Sequence, residues 1–209
     1  MVRSATSAVL QRTKNGLKVA VRIVIAEDEA LIRLDLKETL EAEGYEVVGA
    51  VGRGDEAVEL VKELHPDLAI LDIKMPGMDG IAAAREITRS RRAAVLILTA
   101  FSQRDLVEQA RDAGAFYYLV KPFQTSDLIP AIEVALGRFA DMRAMEAEVE
   151  GTKERLETQR VVGRAKGLLM DRDKMSEAEA FSFIQKTAMT ERTRMKDIAE
   201  RIIQGDLRP

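Results

Sequence analysis

The sequence predicts an α/β domain with a doubly wound, five-stranded parallel sheet, followed by a long linker helix and a small all-helical domain. In the first 140 residues, five short segments rich in β-branched or aromatic residues alternate with segments of helical spacing. After residue 136 only helical spacing continues. The charge changes near the same place, since residues 23–139 hold 13 basic and 21 acidic side chains whereas residues 140–209 hold 14 of each.

The predicted strands are short and apolar enough to be buried between two layers of helices. They are VRIVIA at 21–26, YEVVGA at 45–50, DLAIL at 67–71, AVLILT at 94–99 and FYYLV at 116–120. Between the first two strands, Leu31, Leu34 and Leu40 recur at helical spacing among charged residues. Strands that alternate with helices form a parallel sheet covered on both faces. Right-handed crossovers then make this sheet doubly wound. We predict the strand order 2-1-3-4-5.

Composition excludes several classes of protein and site. The chain contains no cysteine, which excludes a disulfide framework and a cysteine-based metal site. No run of about 18 apolar residues is present, so we expect no membrane span and a cytoplasmic protein. Residues 1–22 carry five basic side chains and no acid. We therefore predict a mobile basic tail at 1–18, with a nucleic-acid-binding arm as the alternative.

Residues 140–162 predict a linker helix with a short coiled-coil seam. The seam residues recur at alternating three- and four-residue steps and are Met142, Met145, Val149, Thr152, Leu156 and Gln159. The polar Thr152 and Gln159 weaken the seam. The helix could pack on its own domain or pair with a second copy of the chain. Gly163 costs about 1 kcal/mol of helix stability relative to alanine, which predicts a bend nearby.

The C-terminal part predicts three helices, at residues 164–170, 176–189 and 193–203. Ser176 and Glu179 have the spacing of a capping box at the start of the second helix. Basic side chains exceed acidic ones by three both in 160–174 and in 186–196. Such clusters are compatible with a phosphate-binding surface and equally with a solvated helix face.

Side chains that suit phosphoryl chemistry stand at the carboxyl ends of the predicted strands. Glu27 and Asp28 follow the first strand, and Asp72 follows the third. Ligands of doubly wound sheets bind at this edge, and clustered carboxylates need a cation such as Mg²⁺. Thr99 ends the fourth strand and Lys121 the fifth, so one anionic group could bind both. The set predicts phosphoryl transfer onto an aspartate, although Glu27 or Asp28 alone could simply cap the next helix.

Four segments of the chain carry this pattern in order. They are Glu27-Asp28, Asp72–Gly80 with the sequence DIKMPGMDG, Thr99-Ala100 and Lys121-Pro122-Phe123. Residues 19–139 thereby resemble the receiver domains of response regulators in two-component signalling. The resemblance implies a flavodoxin-like fold in which Asp72 accepts a phosphoryl group from a histidine kinase. Glu27 stands where such domains more commonly have aspartate.

The resemblance also implies a role for each residue of the pocket. The implied Mg²⁺ ligands are Glu27, Asp28, Asp72 and the backbone carbonyl of Lys74. The implied phosphoryl-contacting and switch residues are Thr99, Ala100, Lys121 and Tyr118. Lys121 would reach the phosphoryl oxygens through a cis bond to Pro122, and Tyr118 would change rotamer. Ala100, Phe101 and Tyr118 would transmit the change.

The C-terminal helices resemble an ANTAR output domain, a family of RNA-binding antiterminators. The matching segments are Arg164–Met170, Ser176–Phe181, Ala188-Met189 and Asp197–Glu200, within a match of roughly 150–203 and a predicted domain at 163–209. The resemblance implies binding to stem-loops of nascent transcripts, through Arg164, Lys166, Arg192, Arg194 and Lys196. Two stem-loops would suit a phosphorylation-dependent homodimer. Lys174 replaces a common glycine, which predicts a left-handed backbone at residue 173 or 174.

We therefore expect a non-enzymatic signalling regulator that controls transcription antitermination. One alternative is a DNA-binding response regulator that uses residues 193–203 as a recognition helix. Another is a phosphatase with an aspartyl-phosphate intermediate. Lys74 disfavours the phosphatase, because such enzymes typically carry a second acid at that position.

Overall fold

The computed structural model describes residues 12–14, 17–100 and 104–209. The chain divides into two compact units, Met1–Met142 and Arg143–Pro209. At the N-terminus, β1 (Arg12–Lys14) and β2 (Leu17–Val19) pair antiparallel. Most of the predicted mobile tail lies outside the described residues, and the predicted boundaries at 139 and 162 stay predictions.

A five-stranded sheet forms the centre of the first unit. Its strands are β3 (Arg22–Ala26), β4 (Glu46–Val51), β5 (Leu68–Asp72), β6 (Ala94–Thr99) and β7 (Tyr117–Val120). All neighbours run parallel, in the order β4-β3-β5-β6-β7. The fold class and the order 2-1-3-4-5 are thus confirmed. Every residue of the central strand β5 is buried, as expected for a parallel strand covered on both faces.

Helices cover the two faces of this sheet. They are α1 (Ala30–Ala42), α2 (Gly54–Leu64), α3 (Gly80–Ser90), α4 (Arg104–Asp112) and the start of α5 (Thr125–Asp173). One core cluster combines Val24 of β3 with residues of α2, α3 and α4. The other combines Ile23 and Ile25 with residues of α1 and α5. Neighbouring residues of β3 therefore serve opposite faces, as the two-residue repeat of a strand requires.

The second unit is all helical. The part of α5 beyond Met142 packs with α6 (Glu177–Glu191) and α7 (Met195–Gln204). Its core residues are Val162, Ala165, Leu169, Ala180, Ile184, Ala188, Ile198, Ala199 and Ile202. Helix α5 runs without interruption through Gly163, so the predicted linker helix and first output helix are one element. No helix among the described residues has an apolar stretch long enough to cross a membrane.

Two local predictions for the second unit are confirmed. Ser176 and Glu179 form a complete capping box at the start of α6: the backbone N–H of Glu179 donates to Ser176, and that of Ser176 donates to the Glu179 carboxylate. Lys174, between α5 and α6, has a left-handed backbone with φ of 59°. The lysine therefore holds the conformation that glycine adopts without strain.

Candidate functional site

Three carboxylates meet at the carboxyl edge of the sheet. Glu27 follows β3 and is fully buried, Asp28 is exposed, and Asp72 at the end of β5 is 6% exposed. One carboxylate oxygen from each residue lies within 4.8 Å of one from each of the other two. The cap of α1 is Glu29, without a side-chain cap bond, so neither Glu27 nor Asp28 caps that helix. The topology thus brings the predicted acids together, because β3 and β5 are neighbouring strands.

Lys121 inserts its ammonium between two of these carboxylates. Its Nζ lies 2.7 Å from Asp72 Oδ1 and 2.5 Å from Glu27 Oε2. The Lys121–Pro122 bond is cis, as the resemblance implied. The Lys121 backbone N–H donates to the Thr99 carbonyl at 2.7 Å, which fixes the end of β7 against β6. Without this ammonium the acids would repel one another across a desolvated site.

Burial and charge set the protonation of this cluster. Burial raises the pKa of Glu27, and the hydrogen bond from Lys121 offsets part of that rise. Burial alone would lower the pKa of Lys121, but its hydrogen bonds to Asp72 and Glu27 raise it above the ordinary lysine value. Lys121 therefore stays an ammonium at neutral pH. One positive charge faces three carboxyl groups, so the pocket attracts a further cation.

The loop after β5 presents Asp72. The Lys74 backbone N–H donates to Asp72 Oδ2 at 2.8 Å, which holds the carboxylate toward the pocket. The Gly80 N–H donates to the Ile73 carbonyl at 2.9 Å as α3 begins. A Cβ at Gly80 would overlap the Asp72 carbonyl oxygen and lie 2.8 Å from its carbonyl carbon. Only glycine lets α3 start this close to the strand that carries Asp72.

A cleft of about 290 Å³ opens over the acids. Its walls include Asp28, Asp72, Thr99, Ala100 and Lys121, so both predicted residues at the end of β6 reach the pocket. Thr99 is 2% exposed and Ala100 is exposed. The cleft has room for a group bound to Asp72.

The structure does not place Tyr118 in this cleft. Tyr118 is 44% exposed on β7, stacks on Tyr117 with ring centroids 6.3 Å apart, and lines a separate cavity of about 870 Å³. That cavity lies beside α4, β7 and α5 and includes Arg111 and Phe123. Phe101 lies outside the described residues. A contact of Tyr118 with the phosphoryl group would need a movement of its side chain.

The donor set fits a hard divalent cation. Carboxylate oxygens are the ligands that Mg²⁺ prefers, and opposite ligands of an ion held at about 2.1 Å lie about 4.2 Å apart. The spacing of up to 4.8 Å therefore needs only small side-chain shifts. Glu27, Asp28 and Asp72 are the residues that could supply these oxygens.

Arg33 of α1 is a contributor that sequence reasoning missed. Its Nη1 donates to the Glu27 carbonyl and, at 3.3 Å, to the Asp28 carbonyl. It thereby braces the loop that carries two of the three acids. The only sequence signal was an arginine five residues after Asp28, which helical spacing alone places among solvated charges.

The predicted RNA-binding cations occupy three places in the second unit. Arg164 and Lys166 lie on α5, Arg192 follows α6, and Arg194 and Lys196 lie at the start of α7. Lys166 pairs with Glu177 at 2.5 Å, Arg194 with Asp197 at 3.0 Å and Lys196 with Glu157 at 2.9 Å. Arg164 and Arg192 are exposed. The five cations are therefore not equivalent.

Comparisons with known proteins match both units. The family model of the response regulator receiver domain matches residues 23–133, and that of the ANTAR domain matches residues 150–203. The transcriptional regulatory protein PdtaR of Mycobacterium tuberculosis is 59% identical over 183 residues, covering 88% of this chain and 89% of that protein. The chemotaxis protein CheY of Thermotoga maritima is 42% identical over 112 residues, covering 53% of this chain and 93% of its own.

Solved structures match the first unit. A CheY-like receiver domain protein from Methanospirillum hungatei has 27% identity and a TM-score of 0.55, covering 59% of this chain and 98% of that one. The CheX–CheY–BeF₃–Mg²⁺ complex from Borrelia burgdorferi has 27% identity and a TM-score of 0.52, covering 56% of this chain and 88% of that one.

Proposed function

Because this chain belongs to the response regulators, with a receiver domain followed by an ANTAR domain, we propose that phosphorylation of Asp72 controls RNA binding by the C-terminal helices. The observation that carries the proposal is the Glu27–Lys121–Asp72 cluster at the carboxyl edge of the sheet. The phosphodonor would be a histidine kinase, and the setting the cytoplasm. The readout would be antitermination at stem-loops of nascent transcripts.

The proposed chemistry is displacement at phosphorus by an Asp72 carboxylate oxygen. The oxygen–phosphorus bond forms as the phosphorus–nitrogen bond of a phosphohistidine breaks, and the leaving imidazole keeps the electron pair. The Lys74 N–H holds Oδ2 and the Lys121 ammonium holds Oδ1, so the nucleophile is oriented before the donor arrives. Thr99 and Lys121 would then hold the new phosphoryl oxygens.

A divalent cation belongs to this proposal. Mg²⁺ bound by Glu27, Asp28, Asp72 and the Lys74 carbonyl would neutralise charge on the transferring phosphoryl group. The acidic cluster and the Mg²⁺ in the Borrelia CheY complex support it. Lys121 would exchange part of its contact with Glu27 and Asp72 for the phosphoryl oxygens.

Phosphorylation would act as a switch through added charge. The phosphoryl group brings negative charge and acceptor oxygens next to Thr99 and Ala100, which line the same cleft. Movement of the segment after β6 would let Tyr118 turn inward from its exposed position. The surface formed by β7 and its neighbouring helices would change with it.

Self-association along α5 is the proposed link to the output. Met145, Val149 and Leu156 are 67%, 53% and 61% exposed, which leaves an apolar seam free for a second copy. Met142, the first predicted seam residue, instead packs on the core of the first unit. We place the homodimer seam between residues 145 and 159, with Thr152 and Gln159 as its polar members.

The deciding experiment measures binding of the full chain to a library of hairpin RNAs, with and without a small phosphodonor and Mg²⁺. We expect phosphodonor to raise hairpin affinity in the natural protein and to leave Asp72→Asn unchanged. A duplex DNA of equal length serves as the comparison, because it separates RNA recognition from the DNA-binding alternative. Equal response of Asp72→Asn and the natural protein to phosphodonor would refute the switch.

A further inference from the structure

Ion pairs within the second unit occupy three of the five cations expected to face RNA. The Lys166 ammonium lies against Glu177, and that of Lys196 lies against Glu157. Arg194 bonds Asp197 through two nitrogens and also reaches Glu154 at 3.4 Å. An RNA phosphate would have to displace a carboxylate at each of these positions.

The two lysines are also largely covered. The Lys196 side chain is 19% exposed and the Lys166 side chain 23%. Arg194 is 69% exposed, but its guanidinium already bonds the Asp197 carboxylate in the first turn of α7. These contacts tie α7 and α6 to α5, so the three cations hold the helices together. They are poorly placed to release counterions on binding a phosphate.

Other cations on α5 face outward together. Val162, Ala165 and Leu169 are buried against α6 and α7, and Lys153, Arg160 and Arg164 lie on the opposite side of the helix. Steps of seven and four residues bring these three side chains onto one face. All three are exposed, and none makes an ion pair or side-chain hydrogen bond with another described residue.

No acid among the described residues forms an ion pair with this stripe, although Glu150 and Glu157 lie one helical turn from its cations. Glu157, beside Arg160, is held by Lys196, and that hydrogen bond is the main cause that lowers the Glu157 pKa, with a smaller contribution from the charge of Arg160. Asp171 lies on the same face, seven residues beyond Arg164, and marks its end. At 1.5 Å per residue the stripe spans about 16 Å, which is long enough to follow several phosphates of one strand.

We propose that the outward stripe of α5, formed by Lys153, Arg160 and Arg164, is the surface that binds the RNA backbone. This inference rests on the proposed RNA-binding function and moves its main contact from the start of α7 to the solvent face of α5. The contacts are to phosphates, so they position the RNA and leave sequence reading to other groups.

Two double variants of equal charge change test the assignment in the full chain. One is Arg160→Gln with Arg164→Gln, and the control is Arg194→Gln with Lys196→Gln. The probe is a fluorescent RNA hairpin with a stem of two helical turns, titrated at several salt concentrations. We expect the stripe variant to bind on the order of 100-fold more weakly at low salt and its salt slope to fall by about 2. We expect the control to keep its salt slope.

Four results separate the possibilities. Loss of affinity and slope in the control, with the stripe variant unaffected, overturns the assignment. Altered sedimentation of the stripe variant without altered RNA binding also overturns it, because the stripe would then contact a second copy. Absence of hairpin binding by the natural protein refutes the proposed function itself. Recovery of binding by Arg160→Lys with Arg164→Lys supports the assignment, since lysine restores charge without the guanidinium geometry.

Discussion

Lys121 and Asp72 form an ion pair of 2.7 Å at the carboxyl edge of the sheet, although they are 49 residues apart. The pair joins the end of β7 to the end of β5, across β6. Glu27 shares the same ammonium, so one lysine balances two buried acids. The proposed phosphorylation must rearrange this contact, which makes it the natural starting point for tests.

Asp72→Asn should abolish phosphorylation by a small phosphodonor such as acetyl phosphate. The amide cannot supply the anionic oxygen that attacks phosphorus. Mobility in a phosphate-affinity gel measures the modified fraction. Asp35→Asn is the matched control, because Asp35 is an exposed aspartate on α1. Modification of Asp72→Asn to the natural level would exclude Asp72 as the acceptor.

Lys121→Gln should lower the free energy of unfolding by roughly 3–5 kcal/mol without metal, because it leaves two buried carboxylates uncompensated. Added Mg²⁺ should restore more stability to this variant than to the natural protein. Urea denaturation with and without Mg²⁺ measures both effects. Adding Asp72→Asn to the Lys121→Gln chain should recover stability in the metal-free protein. If it does not, the repulsion argument fails.

Gly80→Ala should destabilise the first unit by roughly 3 kcal/mol or more, because the new methyl group would overlap the Asp72 backbone. Gly163→Ala provides the contrast, since its Cβ would meet nothing within 4 Å. That change should stabilise α5 by about 0.5–1 kcal/mol. Circular dichroism during urea unfolding gives both values. If Gly80→Ala lost no stability, or if the two variants changed the free energy of unfolding equally, the close approach of α3 to β5 would be contradicted.

Tyr45→Phe should flatten the alkaline limb of the stability curve. The Tyr45 hydroxyl is buried with no hydrogen-bond partner among the described residues, and burial, Glu133 and Glu43 raise its pKa from 10.0 to about 12. The unfolded chain therefore loses this proton first as pH rises. The contribution of Tyr45 to stability, on the order of 2–3 kcal/mol, is fully present below pH 10 and is lost toward pH 12. Parallel curves of stability against pH for the natural protein and the variant over that range would disprove the role of Tyr45.

Lys174→Gly should stabilise the second unit by about 0.5–1 kcal/mol, because glycine adopts the left-handed backbone between α5 and α6 without strain. Lys174→Ala is the control. Both variants lose the bond from the lysine ammonium to the Asp171 carbonyl at 3.0 Å, but alanine also keeps the backbone strain, so it should destabilise. Thermal melts of the three proteins rank them. Equal melting temperatures of the alanine and glycine variants would contradict the strain at residue 174.

The sheet and its acidic pocket could be predicted because strongly patterned strands end in chemically distinctive residues. Asp72 and Glu27 come together through strand order alone, once β3 and β5 are neighbours. The buried face of α1 was harder to predict. Leu31 and Leu34 belong to the apolar repeat but are 83% and 52% exposed, whereas Leu36 and Leu40 are buried. Their register depends on packing against α5, which local spacing does not determine.

The continuity of α5 and the partners of its charges could not be predicted. Gly163 carries a propensity cost of about 1 kcal/mol, yet α5 continues through it because Val162 and Ala165 pack in the second core. Arg194 and Glu154 are 40 residues apart in the chain. Such a pairing follows only from how the three helices pack, so charge counts along the sequence could not separate occupied cations from available ones.

The complete burial of β5 has a consequence for how the first unit exchanges its amide hydrogens with solvent. Leu68–Leu71 are flanked by paired strands on both sides and covered on both faces. Their amides should exchange only when the whole unit unfolds, so their exchange rates report its global stability. Asp72 is the last residue of this strand. We therefore expect its carboxylate to be anchored to a strand that opens only with the whole unit, so that the motion of the proposed switch falls to the segments around it.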